Sequence, residues 1–245
     1  PDEFRQVFQP IGYYGGNVTA YRDAEKMVVD ELYTVMLDRA ARAGKNTMTI
    51  ITGAPASGKS TAARKLNLKN EGLVYDAALS GGTQRLENVI QRAKAKGLDK
   101  ITVMLVYNDI LTCFKNSINR GQNTNRFCTI DYMYQSFEDN KGKIEWLQKQ
   151  HPEITIIPVT CEGNNGPVKV SVEDAKKWDY DVSEEEVNQM LSVLLDVVNS
   201  GELWEQQLPS LVGDLSSIPN LSSRNKKLAE EINKRVEELL HNYRN

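Results

Sequence analysis

Eight consecutive residues, Gly53-Ala54-Pro55-Ala56-Ser57-Gly58-Lys59-Ser60, followed by Thr61, carry the strongest chemical signal in the chain. Their spacing is that of a Walker A phosphate loop, and each residue type has its own reason to be there. Gly53 and Gly58 permit backbone angles that a side chain would block, so that N–H groups of the loop can point inward at an anion. Lys59 adds a flexible cation for the β- and γ-phosphates. Ser60 offers a hydroxyl to Mg²⁺, and Thr61 offers one to the α-phosphate. The expected cofactors are therefore ATP and Mg²⁺, with Ser60 on the metal side. The loop by itself suits a kinase, a GTPase or a motor ATPase equally.

Three further residues narrow the choice. Asp76 directly follows the apolar run Leu73-Val74-Tyr75, so it should emerge at the carboxyl edge of a sheet, where open α/β folds bind ligands. A carboxylate there can accept a hydroxyl proton or hold Mg²⁺ through water; the competing role is a turn cap ahead of residues 77–82. Arg120 should end a helix, and Arg126 follows the polar stretch Gly121–Asn125. Two arginines flanking such a loop suit a lid that closes over ATP and neutralises charge on a phosphoryl group in transit. The alternative is a pair of surface arginines, with Arg120 placed by the helix dipole. Asp109 reads as a helix N-cap, His151 and His241 as solvated surface histidines, and Trp146, Trp178 and Trp204 as packing residues.

The elements that would position these groups alternate in type. Strands are predicted at 48–52, 73–75, 101–107 and 154–159. Helices are predicted at 22–43, from about 58, and over about 83–97, 109–119, 131–149, 171–178 and 183–200. A charged amphipathic helix over about 223–243 carries Leu228, Ile232, Val236 and Leu239 as its apolar stripe. Residues 1–21 read as surface loop, 163–166 as a polar Gly-Asn loop and 201–221 as a linker. Alternation of this kind implies a parallel sheet with helices on both faces. We read residues 1–245 as one kinase-like α/β domain with a core of about 46–200 and extra helices at each end.

Composition removes other classes. A formal net charge of −3 supplies no overall basic field for nucleic acid. No apolar run approaches the roughly 20 residues that would span a bilayer. Cys113, Cys128 and Cys161 are too few and too dispersed for a disulfide framework or a zinc site, which points to a reducing cytoplasm. The chain opens on Pro1 with no leader-like segment behind it, and so reads as a piece of a longer protein without a signal peptide.

The segments GAPASGKSTAARKL, LVYDAALSGG and ITVMLVYNDILTCFKNSINRGQNTNRF together resemble the zeta-toxin family of P-loop kinases and related phage and bacterial effector kinases. The likeness covers roughly residues 48–135. It implies a three-layer αβα P-loop NTPase of the adenylate-kinase-like type and transfer of the ATP γ-phosphate to a hydroxyl. Acceptors in that family include the sugar of UDP-N-acetylglucosamine and the ribose of NAD. By resemblance, Lys59 and Ser60 would hold phosphates and Mg²⁺, Arg120 and Arg126 would stabilise the transferring group, and Asp76 would be the base or a metal-side acid. Residues 77–100 form a shorter interval before the arginine-bearing unit than the family's pattern has. A small-molecule acceptor is the expected partner, with an antitoxin or a neighbouring domain of a longer chain as the expected protein contacts. Two other readings remain at this stage, a polynucleotide kinase and a nucleotide-binding regulatory module without transfer.

Overall fold

A computed structural model describes residues 10, 18–67, 72–79, 81–124, 127–163, 166–200, 218 and 221–244. In chain order the elements are α1 (Val18–Arg42), β1 (Thr47–Thr52), α2 (Lys59–Lys65), β2 (Leu73–Asp76), α3 (Gly82–Lys94), β3 (Lys100–Tyr107) and α4 (Ile110–Thr124). Next come α5 (Ile130–Glu138), α6 (Lys143–Gln150), β4 (Thr155–Thr160), β5 (Val168–Lys169), α7 (Val172–Ala175), α8 (Glu184–Ser200) and α9 (Ser223–Arg244).

The sheet order is β2-β1-β3-β4-β5, with the first four strands parallel and β5 antiparallel to β4. Because side chains alternate along a strand, β1 and β3 feed two cores. Met48, Ile50, Val103 and Leu105 pack on one face with Tyr33 and Leu37 of α1, the apolar stripe of α3, and Ile144 and Leu147 of α6. Ile51, Met104, Val106 and Val159 pack on the other against Ala62 of α2. This is the three-layer α/β arrangement that the strand–helix alternation implies. The stripe on α3 is Leu86, Val89, Ile90 and Ala93, a helical repeat, and full burial of a residue such as Leu86 or Ile90 contributes roughly 1.5–3 kcal/mol. A further core gathers α4, α5, α8 and α9 around Tyr107, at the carboxyl end of β3.

The first helix begins at Val18 rather than at 22, so residues 18–21 of the expected N-terminal loop are helical. The structure departs from the sequence expectations in five further places. First, α4 continues through Gly121 to Thr124, so Arg120 lies inside a helix and most of the expected polar loop is helical. The Phe127 ring lies where a Cβ on Gly121 would be, 2.3 Å from its Cδ1, so this glycine serves packing rather than flexibility. Second, the expected helix over 131–149 is two helices. Asn140 turns its Nδ2 onto the Ser136 carbonyl at 2.6 Å, and Gly142 at φ 68 takes the left-handed conformation that breaks the run. Third, the helix over 171–178 contracts to α7, capped by Ser171, whose Oγ accepts the Asp174 N–H at 3.0 Å. Fourth, the short β5 was not expected at all.

Fifth, His151 is buried rather than solvated, at 5% exposure. Its Nε2 meets Glu87 Oε2 at 2.6 Å, its Nδ1 meets Glu153 Oε1 at 3.3 Å, and its ring sits edge-on to Trp146. The chain reverses at this residue, which turns the imidazole inward between α3 and α6. His241 is exposed. Trp178 stacks on Tyr107 at 5.0 Å between ring centroids, the packing role expected of it. Trp204, Arg126 and nearly all of the expected linker and N-terminal loop lie outside the described residues.

Candidate functional site

The 53–58 loop leaves β1 and runs into α2 along a path that its glycines alone permit. Gly53 has φ 142, and a Cβ there would lie 2.1 Å from the Val106 carbonyl oxygen on β3. Gly58 has φ 97, and a Cβ there would lie 2.9 Å from Cys161 Sγ. Ala56 also holds a left-handed φ of 56, costing roughly 1–2 kcal/mol for a residue with a side chain. Within the loop the Ser57 N–H donates to the Ala54 carbonyl at 3.3 Å. Ser57 Oγ is buried with no hydrogen-bond partner among the described residues. Lys59 Nζ crosses the loop and donates to the carbonyls of Gly53 at 3.0 Å and Ala54 at 2.6 Å. A tight cradle with an orphaned hydroxyl and an ammonium at its mouth fits a phosphate group. Ser60 is exposed at the start of α2, and Thr61 is half-buried.

Asp76 ends β2 and pairs in register with Ile51 on β1, two residues before Gly53. Strand pairing thus delivers the carboxylate beside the phosphate loop. Arg120 arrives from the opposite side. On α4, residues 113, 116 and 120 share one face by helical spacing. Cys113 and Arg120 both act electrostatically on the Lys59 ammonium, and Asn116 Nδ2 reaches the Ala56 carbonyl at 3.4 Å. Asp109 caps this helix by accepting the Thr112 N–H on Oδ1 at 2.7 Å, the role expected of it. Among the expected catalytic residues, Lys59, Asp76 and Arg120 come together, while Arg126 lies outside the described residues.

Electrostatics bear out the proximity. Burial lowers the affinity of Lys59 for its proton, the Asp76 carboxylate opposes that effect, and the Arg120 cation adds to it. The Cys113 thiol is pushed up by burial, against the pull of Lys59, so it is neutral at physiological pH. Burial likewise raises Cys161. The three cysteines, dispersed in sequence, all feel the Lys59 charge.

Sequence reasoning missed Asn116, whose spacing to Arg120 was the available signal. It also missed Lys143 and Asp139, which carry no such signal. Lys143 is fully buried and donates to the Leu79 carbonyl at 3.1 Å and to Asn140 Oδ1 at 3.0 Å. Asp139 Oδ2 accepts the Gly81 N–H at 2.6 Å. Among the described residues no group of three or more His, Cys, Asp or Glu is placed to hold a metal ion. Ser60 and Asp76 are hard oxygen donors of the kind Mg²⁺ accepts alongside phosphates and water. No described helix is long and apolar enough to cross a membrane.

No family model matches the chain, and no curated protein matches it significantly. Solved structures similar to it include two of one complex. The native AvrRxo1-ORF1:-ORF2 complex is 11% identical over 86% of this chain and 84% of that one, with a TM-score of 0.45. AvrRxo1-ORF1:AvrRxo1-ORF2 with sulphate ions is 12% identical over 87% and 85%, with a TM-score of 0.46. The resemblance to zeta-toxin kinases therefore rests on the motifs quoted above, and the reading of the site on this chain's own residues.

Proposed function

We propose that the protein is an ATP-dependent phosphotransferase acting on a hydroxyl of a small molecule of the nucleotide or nucleotide-sugar class, as zeta-toxin-like kinases do. The observation that carries this reading is the convergence of Lys59, Asp76 and Arg120 from three separate elements beside one glycine-built loop. A loop that only bound nucleotide would need the first of these and neither of the others.

Bound Mg-ATP would supply the phosphoryl group and the charge neutralisation of the metal, with Ser60 as the metal-side hydroxyl. Lys59, now on the Gly53 and Ala54 carbonyls, provides the cation for the terminal phosphates. Arg120 meets the charge that develops on the phosphoryl oxygens, and Arg126 is assigned the same task by the lid reading. Asp76 takes the acceptor's hydroxyl proton as the new P–O bond forms and the bond to the leaving ADP breaks, or holds the metal's water. These roles consist of placement and charge, which is the form catalysis takes in phosphoryl transfer.

The test is incubation with Mg²⁺, γ-labelled ATP and a pool of nucleotides, nucleotide sugars and oligonucleotides. Label on a small molecule, lost in Lys59→Ala, is the expected result. Label only on an oligonucleotide 5′ end would make the protein a polynucleotide kinase. ATP binding with no acceptor labelled would leave a nucleotide-binding module and overturn the reading.

A further inference from the structure

Between Asp76 and α3, the described residues of the 77–82 loop take unusual backbone angles, with φ of 48 at Leu79, 106 at Gly81 and 65 at Gly82. Left-handed geometry at a leucine persists only where the surroundings impose it. Side chains from two distant places do so. From β1, Thr52 Oγ1 donates to the Ala78 carbonyl at 3.2 Å. From the α5–α6 turn, Lys143 Nζ holds the Leu79 carbonyl and Asp139 Oδ2 holds the Gly81 N–H. The turn itself is fixed, because Lys143 also bonds Asn140 Oδ1, and Gln135 Nε2 bonds Asp139 Oδ1 at 3.0 Å.

Lys143 is the unusual member of this set. A fully buried ammonium costs several kcal/mol of solvation, and its direct hydrogen-bond partners are a carbonyl and an amide oxygen rather than a carboxylate. Desolvation lowers its affinity for its proton to a pKa of about 8, with Asp139 opposing that and Lys59 adding to it, so the group lies within electrostatic reach of the phosphate loop. An apolar side chain would fill the same volume at lower cost. Departures of this sort from good core chemistry concentrate at functional sites.

We infer that Lys143, together with Asp139, is a positioning residue that staples the 77–82 loop in the shape that presents Asp76 and binds the acceptor. Thr52, the residue before Gly53, bonds the same loop, so the staple sets the acceptor side relative to the phosphate cradle. This inference rests on the kinase reading, since the loop serves an acceptor only if there is one.

The experiment compares the wild type with Lys143→Met, Asp139→Ala and Asp139→Asn. It reads Gly81 amide hydrogen exchange, the Kd for the non-hydrolysable analogue AMP-PNP with Mg²⁺, and KM values for ATP and for whichever acceptor the label screen yields. Loss of one hydrogen bond to the loop predicts Gly81 exchange about tenfold faster in Lys143→Met and Asp139→Ala, and near the wild-type rate in Asp139→Asn, whose amide oxygen still accepts. Acceptor KM should rise about tenfold in the first two, with AMP-PNP Kd and ATP KM within about threefold of wild type. Unchanged Gly81 protection in both variants overturns the inference, as does a parallel rise in both KM values. Asp139 lies in a partly exposed turn, so its variants decide the matter even if Lys143→Met does not fold. A wild type that labels no acceptor removes the kinase reading and the loop's acceptor role with it, while Gly81 exchange still reports whether the staple exists.

Discussion

The 53–60 loop keeps its shape mainly through its own residues, with one distant bond from Asn116, whereas the 76–82 loop keeps its shape through side chains sent from elsewhere. On the donor side, Gly53 and Gly58 allow approaches that nothing larger could make, and Lys59 bonds carbonyls five and six residues before it. On the acceptor side, the bonds from Gly81 to Asp139 and from Lys143 to Leu79 span 58 and 64 positions. A phosphate is the same ligand in every nucleotide, so a largely local cradle suffices for it. An acceptor varies between enzymes, and a loop held by distant residues can be reshaped without disturbing the cradle.

Substitutions can break this contrast at either end. The largest expected effect is that of Lys59→Ala, which removes the ammonium of the cradle and should cost about 10²–10³-fold in phosphoryl transfer together with measurable ATP affinity, checked by titration calorimetry and label transfer. Gly53→Ala comes next. Its Cβ would meet the Val106 carbonyl at 2.1 Å, so backbone must move, and ATP affinity should fall about 100-fold.

A pH titration addresses the acceptor side through the difference between the wild type and Lys143→Met, because Lys59, whose proton affinity burial also lowers, contributes equally to both. Lys143 binds its proton less tightly in the folded chain, near 8, than in the unfolded one, at 10.5. Its burial penalty is therefore fully present below about pH 8 and is relieved as the pH rises toward 10.5, where the unfolded chain still holds the proton and the folded one does not. Lys143 should accordingly add on the order of 3 kcal/mol to the unfolding free energy across that window, and Lys143→Met should remove that part of the rise in denaturant melts. The smallest expected effect belongs to Gly81→Ala. Nothing lies within 4 Å of its added Cβ, so only the strain of φ 106 remains, roughly 1–2 kcal/mol of stability with little loss of ATP binding. A Gly81 variant as damaging to ATP binding as the Gly53 one would remove the distinction between the two loops.

The same contrast explains what could be read from the sequence. The strand–helix alternation follows from local periodicity, and the cradle is a contiguous motif, so both were legible. Asp76 was placed correctly at a strand end because that position depends only on the apolar run before it. Arg120 was found, but its setting was misjudged: Gly121 looked like a helix stop, and the Phe127 ring that packs over it comes from beyond the helix. His151 looked solvated beside Pro152 because its burial depends on Glu87, which the chain brings from α3, as well as on Trp146 of the helix it ends. Lys143 lies in an unremarkable polar stretch, and nothing local marks it as buried. Contacts of high sequence separation are set by topology, which local patterns do not encode.

The most direct measurement concerns Asp76, the residue whose placement beside Lys59 turns a nucleotide cradle into a transfer site. Asp76→Asn keeps the size of the side chain and removes its charge and basicity. AMP-PNP affinity and the rate of label transfer from ATP to the acceptor should be determined on the same preparation. The expected result is an affinity within about threefold of wild type and a transfer rate lower by about 10²-fold. A variant that transfers phosphate at the wild-type rate would contradict the account, and Asp76 would then be no more than the cap of the turn that follows it.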